Sequence, residues 1–263
     1  MLPSQPTLII IVPCYNEEEV LRDTAEKLSC KITSLVSGQL ISEKSALLFI
    51  DDGSKDNTWA LIEKCNKENP LVFYGIKLAG NSGQQTALFC GLISVKDSAD
   101  VTISIDADLQ DDIDAIDKML DNYFAGAEIV YGVRSDRKND GLIKRGSARL
   151  FYRLMRFLGA GLVDNHADFR LMSRKAIEAL AEYSAGSLFL RGIAPMLGLK
   201  TGTVYYERKK RFAGKSKYTL PKMLGLAAAG ISSLRKKKAE HKKFPDYRIE
   251  KILFGRESLN EDQ

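Results

Sequence analysis

Short apolar runs alternate along this chain with longer segments in which apolar residues recur at helical spacing. The apolar runs, each predicted to be a buried strand, are residues 8–12, 46–50, 71–78 and 101–105. The segments with helical spacing are residues 20–35, 59–65 and 84–95. This repetition of strand and helix predicts a parallel, right-handed α/β sheet whose loops gather at one edge.

The pattern continues less regularly toward the C-terminus. Spacing predicts helices at residues 148–158, 175–183 and 188–197, and a late strand at 201–206. Residues 135–146 are polar, charged and glycine-containing. We expect that stretch to be either a mobile loop that closes on a ligand or a plain solvated loop.

The fourth predicted strand ends in a cluster of carboxylates, namely Asp106, Asp108, Asp111 and Asp112. Carboxylates this close together repel one another unless a cation or a set of donors compensates them, and hard oxygen ligands suit Mg²⁺ or Mn²⁺. Because open α/β sheets bind ligands at the carboxyl ends of their strands, Asp106 and Asp108 are predicted to form a metal and diphosphate site. The alternative is a solvated, acidic start to a helix from Ile113.

The loops after the first two predicted strands carry side chains suited to a nucleotide. Tyr15 offers an aromatic ring for stacking, and Glu17 and Asp51 offer carboxylates that accept base or ribose donors. The chain has no Gly-x-Gly-x-x-Gly after the first strand and no Gly-x-x-x-x-Gly-Lys-Ser/Thr, which excludes a Rossmann dinucleotide site and a P-loop. We therefore expect a nucleotide whose phosphates face a metal, with ordinary strand-end residues as the alternative.

The composition is that of a globular protein. At 263 residues, 44% hydrophobic and 28% charged, the chain is long enough for one well-buried domain of about 200 residues plus an appendage. Its four cysteines form no Cys-x-x-Cys pair and it has two histidines, so we expect neither a zinc site nor a disulfide framework. We recognise no signal peptide, and no uncharged stretch near the C-terminus approaches the length of a spanning helix, roughly 20 residues. We therefore expect the chain to be cytosolic.

Positive charge is concentrated near the C-terminus. Residues 208–243 contain thirteen Lys or Arg and one Glu, a charge of +12, which leaves −7 for the rest of a chain whose net charge is +5. This asymmetry predicts a polyanionic partner, which could be phosphates, nucleic acid or an anionic membrane. Apolar residues within 220–234 recur at helical spacing, which predicts a basic amphipathic helix at a membrane surface. A terminal helix packed on the domain is the alternative.

Six motifs occur in order between residues 7 and 233. They are Pro13-Cys14-Tyr15-Asn16-Glu17-Glu18, Asp51-Asp52-Gly53-Ser54, Asp106-Ala107-Asp108-Leu109-Gln110-Asp111, Arg134-Ser135-Asp136-Arg137, Asp168-Phe169-Arg170-Leu171-Met172-Ser173-Arg174 and Gly214-Lys215-Ser216-Lys217-Tyr218. Together they resemble the motifs of family 2 glycosyltransferases. The most similar branch is that of the polyprenyl-phosphate sugar transferases, which includes bactoprenol glucosyltransferase-like and dolichyl-phosphate mannose synthase-like enzymes.

This resemblance implies the fold, the donor and the acceptor. It implies a GT-A catalytic domain over residues 1–215, with a Rossmann-like, mostly parallel α/β sheet and helices on both faces, followed by an amphipathic helix and basic tail over 216–263. It implies a nucleotide-sugar donor, UDP-hexose (glucose first) before GDP-mannose, a polyprenyl phosphate acceptor, Mg²⁺ or Mn²⁺, and inversion at the anomeric carbon. Such an enzyme is expected to be peripheral on the cytosolic face of an anionic membrane, without nucleic acid, and a membrane subunit or a second copy of the chain would be its further partner.

The resemblance also assigns residues to roles, motif by motif. The residues that would hold the nucleoside are Pro13, Tyr15, Glu17, Phe49 and Asp51. The residues that would hold the diphosphate and the metal are Asp106, Ala107, Asp108 and Gln110, of which Asp106, Asp108 and Gln110 are the expected metal ligands. The residues that match phosphate-contacting positions are Arg134, Arg211 and Lys217.

Three side chains are predicted to take part in catalysis: Asp168, Arg134 and Arg170. Cleavage of the bond between sugar and diphosphate leaves negative charge on the leaving group, so a guanidinium aimed at it lowers the barrier. An acceptor phosphate is already an anion near pH 7 and needs positioning more than it needs a base. Asp168 occupies the place where an inverting transferase could keep a carboxylate. The alternative is a structural ion pair between Asp168 and Arg170.

Other functions remain to be weighed. In the bactoprenol-type pattern two spanning helices usually follow the sixth motif, whereas here residues 235–238 pass directly into a basic tail. A phosphohydrolase with Asp106 as nucleophile would need Thr or Val where Leu109-Gln110 stands. A non-enzymatic adaptor built on the basic tail would need no carboxylate cluster. Within the transferases, a saccharide acceptor is the competitor of the lipid phosphate.

Overall fold

Strands and helices alternate through the first half of the molecule, as the apolar pattern predicts. The computed structural model describes residues 5–135, 166–182, 190–208 and 247–254. The strands are β1 (Leu8–Cys14), β2 (Ala46–Asp51), β3 (Phe73–Leu78), β4 (Val101–Ser104), β5 (Ile129–Arg134), β6 (His166–Ser173), β7 (Thr201–Tyr206) and β8 (Ile249–Leu253). The helices are α1 (Leu21–Ser37), α2 (Thr58–Glu68), α3 (Gln84–Ser94), α4 (Ala115–Phe124), α5 (Arg174–Ala181) and α6 (Leu190–Met196).

Within these ranges the strands form one sheet of eight, in the order β7-β5-β6-β4-β1-β2-β3-β8. β1 pairs in parallel with β2 and β4, β2 with β3, and β5 with β7. β6 runs antiparallel between β4 and β5, and β8 runs antiparallel to β3. The carboxyl ends of β1 to β5 and β7 therefore lie together, and we call this side of the sheet the carboxyl edge. The expected α/β fold with a mostly parallel sheet is confirmed.

The core lies on both faces of the sheet because side chains alternate along each strand. On β1, Ile10 and Val12 pack against α1, α2 and α4, whereas Ile9 and Ile11 face α3, α5 and α6. All four side chains are buried. The prediction of helices on both faces is therefore confirmed, and the central strands are held rigidly between two apolar layers.

Two predicted element boundaries are wrong. β3 does not begin at residue 71, because the amide of Leu71 donates to Asn69 Oδ1 at 3.3 Å in a turn that leaves Leu71 56% exposed. α4 does not begin at residue 113, because the amide of Ala115 bonds three residues back, to the carbonyl of Asp112, at 3.0 Å. Such short-range bonds form a tighter turn than an α-helix. The other elements predicted within the described ranges are present.

Three strands, β5, β6 and β8, were not predicted from the sequence, and the last of them, β8, lies at one margin of the sheet. It extends the sheet beyond β3, and Leu253 is buried there while Phe254 packs edge-on against Tyr74 with ring centroids 5.4 Å apart. An ion pair of 2.9 Å between Lys77 and Glu250 adds a polar contact on the outer surface. Residues 249–253 therefore form part of the same sheet as β1 to β7.

Several predicted features lie outside the described residues. They are the loop at 136–146, the helices at 148–158 and 220–234, Arg211 and Lys217. The division of the chain at residue 215 stays a prediction for the same reason. In the part of the chain that the structure describes, no helix combines the length and the apolar character needed to cross a bilayer.

The turn after β2 yields a test of this architecture. Gly53 adopts a φ of +69°, and a Cβ added there would lie 2.5 Å from the carbonyl carbon of Gly80. We expect Gly53→Ala to lower the free energy of unfolding by at least about 1–3 kcal/mol, because a left-handed backbone and a backbone clash combine. Gly80→Ala is the matched control, since nothing lies within 4 Å of its added Cβ. Equal urea midpoints for the two variants would contradict the prediction.

Candidate active site

The first three loops of the carboxyl edge are tied to one another by hydrogen bonds. The amide of Asp52 donates to the carbonyl of Cys14 at 2.8 Å, which joins the loop after β2 to the end of β1. The carboxylate of Asp52 accepts from the amides of Ser82 and Gly83 at 2.7 and 2.9 Å, which joins the same loop to the start of α3. These bonds make the loops one rim rather than three independent turns.

A buried carboxylate lies at the end of β2. Asp51 Oδ1 accepts from the amide of Ser54 at 3.2 Å, whereas Oδ2 is buried without a hydrogen-bond partner. Burial raises the pKa of Asp51. An N–H group that reached this oxygen would stabilise the charged form. Phe49, two residues earlier, is fully buried and stacks on Phe73 with centroids 6.4 Å apart, so in this structure it is a core residue.

The loop between β4 and α4 carries the carboxylate cluster in a constrained conformation. Leu109 has a φ of +45°, which non-glycine residues rarely adopt. The amide of Gln110 donates to Asp108 Oδ1 at 3.2 Å, and the carbonyl of Ala107 accepts from Thr24 Oγ1 at 2.6 Å. Strain of this kind persists where the surroundings hold the chain firmly, which is common at functional sites.

Asp106 is the centre of the negative charge in this loop. Burial, together with the carboxylates of Asp111, Asp168 and Asp108, raises the pKa of Asp106 to about 7. Its Oδ1 accepts from the neutral side-chain amide of Gln84 at 2.7 Å. Among the described residues, three carboxylates raise the pKa of Asp106 and one guanidinium, that of Arg191, lowers it, and a cation at this point would lower it further.

The oxygen ligands at this point fit a small, hard divalent cation that takes the rest of its coordination shell from water and substrate. Among the described residues no three His, Cys, Asp or Glu side chains form a ready group of metal ligands. Mg²⁺ is commonly held by one or two carboxylates plus waters and substrate phosphates, and Asp106 and Asp108 could supply the carboxylates. Gln110 is engaged elsewhere, since its Oε1 accepts from the guanidinium of Arg208.

Arg134 ends β5 beside this loop. Its NH2 group donates to Asp111 Oδ1 at 3.1 Å, and its Nε donates to the hydroxyl of Tyr206 at 3.3 Å. The same hydroxyl donates to Asp111 Oδ1 at 2.6 Å, while Asp111 Oδ2 is buried without a partner. Arg134 is thus fixed next to the acidic loop and 28% exposed, which suits contact with an anion.

Asp168 lies on β6 at the same edge and is surrounded by donors. Arg191 holds it in a bidentate pair, from Nε to Oδ1 at 2.9 Å and from NH2 to Oδ2 at 3.0 Å. The side-chain amide of Gln85 donates to Oδ2 at 3.0 Å. Arg170 approaches at 3.8 Å and lies over the ring of Tyr131, 5.9 Å from its centroid. Asp168 is therefore part of a cluster in which two guanidinium groups face one carboxylate.

The electrostatics of this cluster keep Asp168 ionised. Burial alone would raise the pKa of Asp168, but the charge and hydrogen bonds of Arg191, followed by the charge of Arg170, hold it well below its usual value. The ion pair between Asp168 and Arg170 that was considered from the sequence is present, yet Arg191 is the hydrogen-bonded partner. A carboxylate in this state is a weak base.

The sequence around this site is similar to that of known proteins. Residues 9–181 match glycosyl transferase family 2. The chain belongs to this family. It is 53% identical over 233 residues to the uncharacterized glycosyltransferase YkoT of Bacillus subtilis (strain 168), covering 89% of this chain and 69% of that protein. It is 37% identical to the bactoprenol glucosyl transferase of Shigella phage SfV, covering 85% and 70%.

Solved structures of low sequence identity share the fold of this family 2 glycosyltransferase. Glucosyl-3-phosphoglycerate synthase from Mycobacterium tuberculosis, in complex with Mn²⁺, UDP-glucose and phosphoglyceric acid, matches with a TM-score of 0.57 at 16% identity, covering 97% of this chain and 92% of that one. The mannosyltransferase PcManGT from Pyrobaculum calidifontis, in complex with GDP-Man and Mn²⁺, matches with a TM-score of 0.55 at 16% identity, covering 90% and 66%. The GT-A fold expected from the motifs is confirmed.

The structure places most of the predicted site residues of this glycosyltransferase together. Those at the carboxyl edge are Pro13, Tyr15, Glu17, Asp51, Asp106, Ala107, Asp108, Gln110, Arg134, Asp168 and Arg170. Phe49 lies in the core below them, and Arg211 and Lys217 lie outside the described residues. The role of each residue stays a prediction.

Other residues of the site were not predicted from the sequence. They are Gln84, Gln85, Asp111 in its pairing role, Arg191, Tyr206 and Arg208. Tyr206 could have been found, because it ends β7 at the edge where Arg134 ends β5. Arg191 carried no such signal, since it lies in an apolar helical segment that is indistinguishable from core.

The charge on Asp106 leads to a prediction about pH. An unfolded Asp titrates near 3.9, whereas the pKa of Asp106 is raised to about 7. The unfolded chain therefore releases this proton first, and the metal-free protein loses stability between about pH 4 and pH 7. We expect Asp106→Asn, which lacks this ionisation, to unfold at a higher temperature than wild type in EDTA, with a gap that widens from about pH 5.5 to about pH 8. Adding Mn²⁺ at the higher pH should narrow the gap, and a gap independent of pH would contradict the prediction.

Proposed function

We propose that this glycosyltransferase moves a hexose, with glucose as the first candidate, from a nucleotide sugar to a polyprenyl phosphate, with Mg²⁺ or Mn²⁺ and with inversion at the anomeric carbon. The observation that carries the proposal is the excess negative charge around Asp106, which makes a cation and its bound diphosphate the natural occupants of the carboxyl edge. The similarity to bactoprenol glucosyl transferases supports glucose and the lipid phosphate.

The donor would lie across the rim formed by the first loops. Asp51 would accept an N–H group of the base through its unpartnered oxygen, and Asp106 and Asp108 would hold the cation beside the diphosphate. When bound, the cation supplies positive charge to the leaving group. Arg134, held in place by Asp111 and Tyr206, would add a guanidinium to the same leaving group.

The state of Asp168 favours a phosphate acceptor over a saccharide. A saccharide hydroxyl must lose a proton as it attacks, and the base that takes the proton works best with a pKa near the working pH. Asp168 is instead held ionised by Arg191, and both of its oxygens already accept hydrogen bonds. A phosphate near pH 7 is an anion that attacks without such a base. We therefore keep the saccharide only as the second candidate.

The positions of β7 and β8 support the proposal that the enzyme transfers sugar at a membrane face. β7 ends at Tyr206 opposite Arg134, and β8 begins at Ile249 opposite Leu78, so both chain ends lie at the carboxyl edge. The basic segment that joins them therefore leaves and returns on the side of the molecule that carries the site. The positive charge carried by residues 208–243 would draw the protein toward an anionic cytosolic surface. A membrane subunit or a second copy of the chain remains a further predicted partner.

The donor and the metal can be tested together by calorimetry. We expect wild type in Mn²⁺ to bind UDP more tightly than GDP or CDP, and we expect EDTA to abolish that binding. Asp108→Ala should abolish transfer while its thermal unfolding remains normal, because Asp108 would contact the cation directly. More than a tenth of wild-type activity in a folded Asp108→Ala variant would contradict the metal role. Binding of GDP without UDP would identify a mannose donor instead.

The membrane face can be tested by flotation with anionic vesicles. Each lysine near an anionic surface contributes about 1 kcal/mol, so neutralising Lys236, Lys237 and Lys238 to Gln should weaken vesicle binding by roughly two orders of magnitude. Neutralising the exposed Lys44, Lys64 and Lys67 is the matched control, because these residues precede strands at the opposite edge of the sheet. Wild-type protein that stays in the soluble fraction at low salt would contradict the peripheral membrane location.

A further inference from the structure

The pairing of β2, β3 and β8 places a lysine between two carboxylates at the carboxyl edge. In the parallel ladder of β2 and β3, Asp51 lies opposite Lys77. In the antiparallel ladder on the other side of β3, Lys251 lies opposite Lys77. The ammonium of Lys77 donates to Glu250 Oε1, on β8, at 2.9 Å. Lys77 thus has a carboxylate on each of the two neighbouring strands.

Asp51 and Lys77 point to the same face of the sheet. Phe49 of β2 and Phe73 of β3 stack on each other on the face that packs against α1, α2 and α4. Side chains alternate along a strand, so Asp51, two residues after Phe49, lies on that face. Lys77, four residues after Phe73, lies there as well. Because neighbouring strands are about 4.8 Å apart and the two residues are in register, the Lys77 ammonium can reach the carboxylate of Asp51.

A β-bulge in β8 turns Glu250 toward Lys77. Lys77 faces Lys251 and Leu78 faces Ile249, which leaves Glu250 as one extra residue on β8. Without the bulge, alternation along β8 would place Glu250 on the face opposite to Lys77. Bulges re-aim side chains in this way at sheet edges and next to active sites. The bulge therefore gives Lys77 an ion-pair partner on the side away from Asp51.

This ion pair leaves one oxygen of Asp51 open. Asp51 Oδ2 is buried without a hydrogen-bond partner, while Oδ1 accepts from the amide of Ser54 at 3.2 Å. Burial raises the pKa of Asp51, whereas the hydrogen bonds of Ser54 and then the charge of Lys77 lower it. Lys77 therefore favours the ionised form of Asp51 while its own ion pair is with Glu250.

We propose that Glu250 holds the Lys77 ammonium away from Asp51, so that Asp51 Oδ2 stays open to an N–H group of the donor base. This inference rests on the proposed function, in which Asp51 accepts that N–H group. Glu250 and Lys77 are positioning residues, because they act on the base through Asp51. β8, at the margin of the sheet, then contributes to selection of the nucleotide.

Calorimetry with UDP in Mn²⁺ tests this inference. We expect Glu250→Gln to weaken UDP binding roughly tenfold, because Lys77 then pairs with Asp51, and a site that is open in about a tenth of the molecules binds about ten times more weakly. Lys77→Met in the Glu250→Gln background should restore most of the affinity, since no ammonium is left to occupy Asp51. A double variant that binds UDP no better than Glu250→Gln would overturn the inference, because the loss would then come from the structure of β8.

The base offers a second measurement. In 3-methyl-UDP a methyl group replaces the one ring N–H of uracil, so this nucleotide lacks the donor that Asp51 would accept. We expect wild type and Glu250→Gln to bind 3-methyl-UDP with the same, weakened affinity, because both changes remove the same contact. Wild type that binds 3-methyl-UDP as tightly as UDP would overturn the inference.

Glu63 on α2 offers a matched control. Its Oε1 binds Lys251 Nζ at 3.0 Å, and the two side chains are 29% and 46% exposed, against 25% and 47% for Lys77 and Glu250. We expect Glu63→Gln, which removes the other ion pair of β8, to leave UDP affinity within about twofold of wild type. A tenfold loss in Glu63→Gln would assign the effect to the stability of β8 and overturn the inference.

The same titrations separate this inference from the proposed function. Wild type that binds no UDP in Mn²⁺ would overturn the proposed UDP donor together with this inference. Wild type and Glu250→Gln that bind UDP with equal affinity would overturn this inference alone.

Discussion

The crowding of carboxylates at the end of β4 is the constraint on which the rest of the site depends. Charges in a water-poor pocket repel one another strongly, so each must be compensated by a specific partner. Two of the carboxylates that face Asp106 are paired within the protein, Asp111 in the same loop with Arg134 and Asp168 on β6 with Arg191. Asp106 has the neutral amide of Gln84 as its hydrogen-bond partner. The protein thus supplies cationic partners for Asp111 and Asp168, whereas the described hydrogen-bond partner of Asp106 is neutral.

These charge pairings require a rigid frame, because an electrostatic site works only if its charged groups cannot turn away from one another. The frame comes from the sheet, whose central strands are buried on both faces, and from bonds between loops that are far apart in sequence. Asp52 is the clearest case, since it joins the ends of β1 and β2 to the start of α3. Thr24 does the same for α1 and the acidic loop.

The sequence was sufficient to predict those parts of the molecule that show a pattern within a short stretch of the chain. The buried strands of the first half were visible as apolar runs, and Asp51 and Asp106 could be assigned to one edge because they end or follow strands. Arg134 was assigned through its motif alone, because the pattern predicted no strand before it. Residues whose importance comes from a distant partner could not be found this way. Arg191 is recognisable only once β6 brings Asp168 against α6, and β8 only once β3 offers it an edge, since its Glu250 and Lys251 interrupt any apolar pattern. Pairings across the fold leave no trace in spacing.

The placement of β7 and β8 has a consequence for how this enzyme can vary. The two strands lie at opposite margins of the sheet, seven spacings or about 34 Å apart. Each strand has its own hydrogen-bond ladder, so the register of β7 is set by β5 and that of β8 by β3, whatever the length of the chain between them. The end of β7 and the start of β8 are thus two fixed points between which the chain runs. Relatives could therefore carry quite different inserts at this point, and hence different modes of attachment, on the same catalytic frame.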